Sequence, residues 1–272
     1  LAEAEPGNAE WQRDLSVSFN RLGNVEVVAG NLTAARERFE AGLAIAENLA
    51  KAEPGNADWQ RDLSVSYIKL GDVEVAAGNL TAARERFEAG LAIAENLAKA
   101  EPGNADWQRD LSVSYDRLGN VEVAAGNLTA ARERFEAGLA IRENLAKAEP
   151  GNAEWQRDLS VSYNKLGNVE VAAGDLTAAR ARFEADLAIA EKLAKAEPGN
   201  AEWQRDVVVS QFKLGNLGLQ EGDPALGLSH FREAERVMAA LVQKWPNHPG
   251  FANDLSRVRN SIAQLNDGAE PE

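Results

Sequence analysis

Large apolar residues recur along this chain at spacings of three and four, the period of a helix with one buried face. Trp11, Leu15, Phe19, Leu22 and Ala29 fall on one side of a first stretch, and Leu32, Ala35, Phe39, Leu43, Ala46 and Leu49 on one side of a second. Turn-forming residues separate the two. Pro6, Gly7 and Asn8 precede the first stretch, with Asn8 placed to cap it and Glu10 in its first turn. Gly30 and Asn31 divide the stretches, and Pro54 follows the second. The pattern predicts a helix A to about Ala29 and a helix B ending near Glu53, each of roughly 20 residues and about 30 Å long.

The pattern then returns. Trp-Gln-Arg-Asp stands at Trp11, Trp59, Trp107, Trp155 and Trp203, always 48 residues apart, and Phe251 keeps the place in a degraded sixth copy. The units are 1-48, 49-96, 97-144, 145-192 and 193-240, followed by a partial unit, 241-272. Units two and three differ only at Ile68/Asp116, Lys69/Arg117, Asp72/Asn120 and Ala94/Arg142. Such similar units require similar surroundings, so the sequence predicts an all-α array over 1-272 in which each unit packs on its neighbours, with six A and five B helices. The last turn, Gly222-Asp223-Pro224, fits a capping Asp and a Pro in the first helical position. Gly23, repeated as Gly71, Gly119, Gly167 and Gly215, sits inside helix A, where it costs about 1 kcal/mol relative to Ala. Close approach of helix B is the expected compensation.

The run Leu22-Gly23-Asn24, then Gly30, Ala35, Phe39 and Leu43, resembles a tetratricopeptide repeat, in that family's order of glycine, turn glycine, alanine and aromatic. The resemblance covers about 34 residues of each unit and recurs five times. The longer period, with its additional Trp11 turn and extended helix B, is similar to kinesin light chains and to bacterial signalling arrays joined to other domains. The resemblance implies a right-handed superhelical solenoid with A helices on the concave wall, binding a peptide or protein segment and forming part of a larger multidomain protein.

Near-identical units allow their columns to be compared. The side of helix A opposite the packing face carries Arg13, Val17, Asn20, Arg21, Asn24, Val27 and Val28. One column there varies: Asn20, Ile68, Asp116, Asn164, Phe212. Its neighbour is nearly constant: Asn24, Asp72, Asn120, Asn168, Asn216. Amides with spare donors and acceptors suit the backbone of an extended peptide, and a varying column suits side-chain selection, so these ten residues are the candidate site. The alternative is a set of solvated polar positions varying by drift. The Arg13 and Arg21 columns would make the face basic, with Glu10 and Asp14 cancelling them in part, which points to an acidic ligand.

Two further columns read as scaffold. Glu26, Glu74, Glu122 and Glu170 fall on the packing face of helix A, and unit five has Gly218 there; Arg36, Arg84, Arg132 and Arg180 give way to Leu228 in the same unit. Joint loss fits an interhelix pair within each unit, Glu122 with Arg132 for example. The Asp of every Trp-Gln-Arg-Asp turn persists as Asp254 in the degraded copy; local capping or contact with the next connector is the expected reason.

Composition narrows the function. The absence of cysteine excludes disulfides and thiolate chemistry, and two histidines, His230 and His248, leave little for catalysis or metal binding. A net charge of -14 argues against nucleic acid and anionic membranes. No apolar run approaches ~18 residues. Neither a phosphate loop nor a Rossmann, HExxH or GxSxG motif is present, so neither enzyme activity nor a cofactor is expected. Asn31-Leu32-Thr33 and its copies are glycosylation sequons, but Asp175 in unit four marks a turn and cap. Without a signal peptide the chain is expected in the cytoplasm, and without an initiator Met it reads as part of something longer.

Of seventeen aromatics, fifteen fall in the Trp11, Phe19 and Phe39 columns. Trp245 is expected to close the last helix B, and Phe212 to face the groove. A last helix at about 250-266, with Arg257 and Arg259 in place of apolar residues, reads as a cap before an acidic tail. No such cap precedes Trp11, so Trp11, Leu15 and Phe19 are expected to be partly exposed, and self-association through that end is an expectation. The runner-up function is a spacer or oligomerisation module whose groove binds nothing.

Overall fold

The computed structural model describes residues 7–267, and among these every regular element is a helix. The A helices are α1 (Ala9–Val28), α3 (Ala57–Ala76), α5 (Ala105–Ala124), α7 (Ala153–Ala173), α9 (Ala201–Gln220) and α11 (Phe251–Asp267). The B helices are α2 (Leu32–Ala52), α4 (Leu80–Ala100), α6 (Leu128–Ala148), α8 (Leu176–Ala196) and α10 (Pro224–Lys244). The eleven helices and their boundaries agree with the sequence periodicity. The acidic tail past Asp267 and the segment before Gly7 lie outside the described residues.

The chain divides into two compact units, Leu1–Ile141 and Arg142–Glu272. In the first, each helix from α1 to α5 packs on the next, and α1 touches α3 as α3 touches α5. In the second, α7 to α11 follow the same sequential order. Each of α2, α4, α8 and α10 is thus held between two A helices, which is the packing of stacked repeats.

Local chemistry sets the boundaries. Asn8, Asn56, Asn104, Asn152 and Asn200 sit in extended conformation and accept from the backbone N–H of the Trp three residues on. This satisfies one of the orphan donors of each A helix. The A-to-B turn needs a left-handed residue, which Gly30 (φ 80°) and its four copies supply. Asp175 and Asp223 cap the following B helix by accepting from Ala178 and Leu226. Asn31, Asn79 and Asn127 do something else: each donates through Nδ2 to Glu26, Glu74 or Glu122 at 2.8 Å.

Gly23 is compensated as expected. A Cβ there would lie 2.5 Å from the Phe39 ring, and the same holds for Gly71 with Phe87, Gly119 with Phe135 and Gly215 with Phe231. Those rings are almost wholly buried. In the first unit, Ala35, Phe39, Leu43, Ala46 and Ala50 of α2 form one core with Leu63, Leu70 and Val73 of α3. Among the described residues the equivalent face of α1 carries no such cover. Trp11, Leu15 and Phe19 are half-buried, and the largest differences fall one and two turns later: Leu22 is 51% exposed against 0% for Leu70, and Val25 65% against 1% for Val73.

At the other end α11 buries Phe251, Leu255 and Val258 and leaves Arg257 and Arg259 exposed. Trp245 packs edge-on against Phe251, with centroids 6.4 Å apart, and His248 in the connecting loop stacks on the same ring.

The charged columns tie consecutive repeats together. Arg36 donates to Glu74 at 2.6 Å and Arg84 to Glu122 at 2.8 Å. The expected pairing within a unit is therefore corrected: Glu74 and Glu122 each pair with the Arg of the preceding repeat. Gly218 and Leu228 consequently do not belong to one pair. Arg180, whose counterpart in that register would be position 218, pairs instead with Glu221. The second ladder runs between A helices. Arg13 donates to Asp62, Arg61 to Asp110, Arg157 to Asp206 and Arg205 to Asp254, at 2.5–2.9 Å. Arg61 and Arg157 also lie over Trp107 and Trp203 of the following repeat, 5.5 and 5.2 Å from the ring centroids. The Trp-Gln-Arg-Asp motif is an inter-repeat lock, and Asp254 persists because Arg205 needs it.

Candidate functional site

The A helices present Val17 and Val65 in the first unit and Val161 and Val209 in the second at 36–41% exposure, an apolar pair in each beside the candidate columns. The varying column lies deeper than a solvated surface would. Asn20, Ile68, Asn164 and Phe212 are half-buried and Asp116 is buried at 6%. These residues lean toward the B helix of their own repeat, where Gly42, Gly90 and Gly138 give way to Asp186 and Ala234.

Two clefts of the same construction open between consecutive A helices. One, of about 160 Å³, lies between α3 and α5 on a floor of Ile68, Ala94 and Leu97, walled by Val65, Trp107 and Val113. The other, of about 180 Å³, lies between α9 and α11 on Phe212 and Met238, walled by Val209 and Val258. Phe212 is packed 5.2 Å from Phe231 and is part of the α9–α11 core, so it lines a cleft rather than standing free in a groove. In both clefts the rim Arg (Arg61, Arg205) is tied to its Asp. The Arg13 column is therefore committed to the scaffold and does not offer the free basic row expected of it. The second cleft has two more cations, Lys213 and Arg257, and among the described residues neither forms an ion pair.

The second column is engaged across repeats. Asp72 pairs with Arg117 at 3.2 Å, and its carboxyl is raised by burial, which Arg117 and Lys69 oppose. Asn168 accepts from Lys213 at 2.8 Å and donates to Asn164 at 3.2 Å, while Asn216 donates to the Phe212 carbonyl at 3.0 Å. Asn24, Asn120 and Asn168 are exposed. The ten residues thus share one face of the A helices within each unit, though several are held in place by one another.

Asp186 adjoins the candidate columns and was not among the ten, although an Asp where three other repeats have Gly was a visible signal. It is 4% exposed and accepts from Ser160, from Asn164 at 3.0 Å and from Ser210 at 2.9 Å. Burial raises its carboxyl, and the three donors oppose that shift. Lys213 is lowered by burial, against the pull of Asp186. Among the described residues no group of His, Asp or Glu has metal-ligand geometry, and no helix is long and apolar enough to cross a membrane.

The fold has relatives among solved structures. BtubC (BKLC) from P. vanneervenii aligns over 88% of this chain and 85% of its own, at 18% identity and a TM-score of 0.69. A Podosopora anserina protein of nearly identical TPR-like repeats, described as a kinesin light chain, aligns over 85% and 98% at 19% identity and a TM-score of 0.64. The nuclear import adaptor Nro1 of S. pombe aligns over 97% and 89% at 13% identity and a TM-score of 0.62. At these identities the likeness is one of fold. No curated protein sequence matches. The tetratricopeptide repeat family matches residues 20–84, 69–128 and 117–186, a continuous span from 20 to 186 and more than half of the chain. On that span, and on the stacked helix pairs that contain it, the chain belongs to the tetratricopeptide repeat family.

Proposed function

We propose that the protein is an interaction scaffold that binds an extended protein segment along the A-helix face, as one part of a larger protein. The observation that carries this is the pair of clefts between consecutive A helices, built from equivalent positions but floored by Ile68 and Ala94 in one and by Phe212 and Met238 in the other. Packing alone would favour one solution repeated, as at Phe39 and its copies. A conserved frame with changed floors suits side-chain selection, and the exposed Val column adds apolar area beside it. Lys213 and Arg257, in a chain of net charge -14, favour a carboxylate-bearing ligand.

The test compares pull-downs by the protein and by a variant with Asn24, Asn120, Asn168 and Asn216 changed to Ala. The expected result is loss of partners in the variant; equal recovery discards the groove. The inter-repeat ladders favour a second reading, a stiff spacer with no ligand, because they commit many charges to holding repeats in register. Equal recovery would support that reading.

A further inference from the structure

The first A helix leaves open, on its packing side, what α3 has covered. Leu22 is 51% exposed and Val25 65%, whereas Leu70 and Val73, the same two columns one repeat on, lie in one core with Phe39 and Leu43 of α2. The charged residue of that side is open too. Glu74 accepts from Asn79 Nδ2 at 2.8 Å and from Arg36, on the helix that covers it, at 2.6 Å. Glu26 accepts from Asn31 Nδ2 at the same 2.8 Å and through the corresponding oxygen, but among the described residues it forms no ion pair. Asn31 thus holds the carboxylate where the guanidinium of a covering helix would meet it, beside two uncovered apolar side chains.

We infer that this side of α1 is a docking surface for an amphipathic helix that carries an uncommitted arginine beside its apolar stripe, in the order of Ala35, Arg36, Phe39 and Leu43. Covering Leu22 and Val25 removes apolar surface from water, and the arginine pairs the carboxylate that the same burial would otherwise strand. A second copy of this chain lacks that chemistry. Its last two helices, α10 and α11, have Leu228 and Asn253 in the Arg36 and Arg13 columns, so contact through them brings no guanidinium from either column. Contact between two α1 faces sets acid against acid, because Asp14 is exposed and, unlike its copies Asp62 and Asp110, forms no ion pair among the described residues. The occupant is therefore a separate B-type helix. Since Leu22, Val25 and Glu26 lie on the packing side of α1, the inference does not depend on the A-helix groove.

The probe is an acetylated, amidated peptide with the sequence of α2, Leu32–Ala52, stapled between the exposed positions Glu40 and Ala44 so that it enters solution as a helix. Methyl NMR of the whole protein reads the site. The peptide is expected to shift the Leu22 and Val25 methyls and to leave those of Leu70 and Val73 in place. Arg36→Leu in the peptide, or Glu26→Gln in the protein, is expected to weaken binding by about threefold or more, and the two together to weaken it no further than either alone. Absence of shifts at Leu22 and Val25, shifts confined to the groove residues Val17 and Val65, or equal affinities for the Arg and Leu peptides overturns the inference. Concentration-dependent dimerisation that shifts the Leu22 and Val25 methyls without peptide also overturns it, because the occupant is then a second copy.

Discussion

Arg84 on α4 donates to Glu122 on α5 at 2.8 Å, joining residues of consecutive repeats. The Glu122 side chain is 11% exposed and that of Arg84 34%, so the pair is shielded enough for its loss to be felt. Glu122→Gln and Arg84→Leu, measured singly and together by urea denaturation, are expected to be non-additive, with a coupling of about 0.5–3 kcal/mol. Glu122→Gln with Arg132→Leu, in which the Arg belongs to the same repeat as the Glu, is expected to show less coupling, because the partner of Glu122 is the preceding Arg. Equal coupling in both cycles would remove the inter-repeat register.

Gly71 lies against the ring of Phe87, where a Cβ would be 2.5–2.8 Å from three ring carbons. Helix propensity alone would make Ala the better residue by about 1 kcal/mol. Overpacking by about 1–3 kcal/mol is expected to prevail, so Gly71→Ala lowers the urea midpoint. Phe87→Leu added to Gly71→Ala is expected to cost less than the sum of the two, since the smaller side chain relieves the clash.

Leu22 and Leu70 occupy one column but differ from 51% to 0% exposure. Leu70→Ala is expected to cost about 2–5 kcal/mol, as for a filled core site. Leu22→Ala should cost less than about 1 kcal/mol. Similar losses for both would mean that α1 is covered in solution as α3 is by α2.

The repeat, the eleven helices and the Gly23–Phe39 fit were legible because they follow from local periodicity and from identity between units. Pairing partners were harder to read. Glu26 and Arg36 are ten residues apart in one repeat, and nothing in a column says whether an Arg bonds its own Glu or that of the next repeat; the observed Arg36–Glu74 choice depends on helix stacking. The reason for Asp254 was hidden in the same way, since its partner Arg205 lies 49 residues earlier. Asp186 was visible as a break in a Gly column, but its effect on Asn164 and Lys213 arises only when three helices meet. Phe212 read as exposed because helix A has two sides in projection, whereas the α9–α11 contact folds its column into a cleft.

His230 gives the fold a pH dependence of definite sign. Its Nδ1 lies 2.7 Å from Gln211 Oε1, and because an amide oxygen only accepts, Nδ1 carries the proton. Burial lowers the imidazole from its ordinary value and the charge of Arg180 lowers it further, with Glu184 opposing. The folded protein therefore takes up this proton less readily than the unfolded chain, whose His titrates near 6.5. Between the two values the unfolded state binds more protons, so this group's contribution to stability falls as pH drops below about 6.5. His230→Gln cannot titrate and is expected to lose less stability than the parent protein between pH 7.5 and 5.5. Because the carboxylates are common to both proteins, the difference between the two urea midpoints isolates His230, and a difference independent of pH over that range would show that the imidazole is not held neutral by the fold.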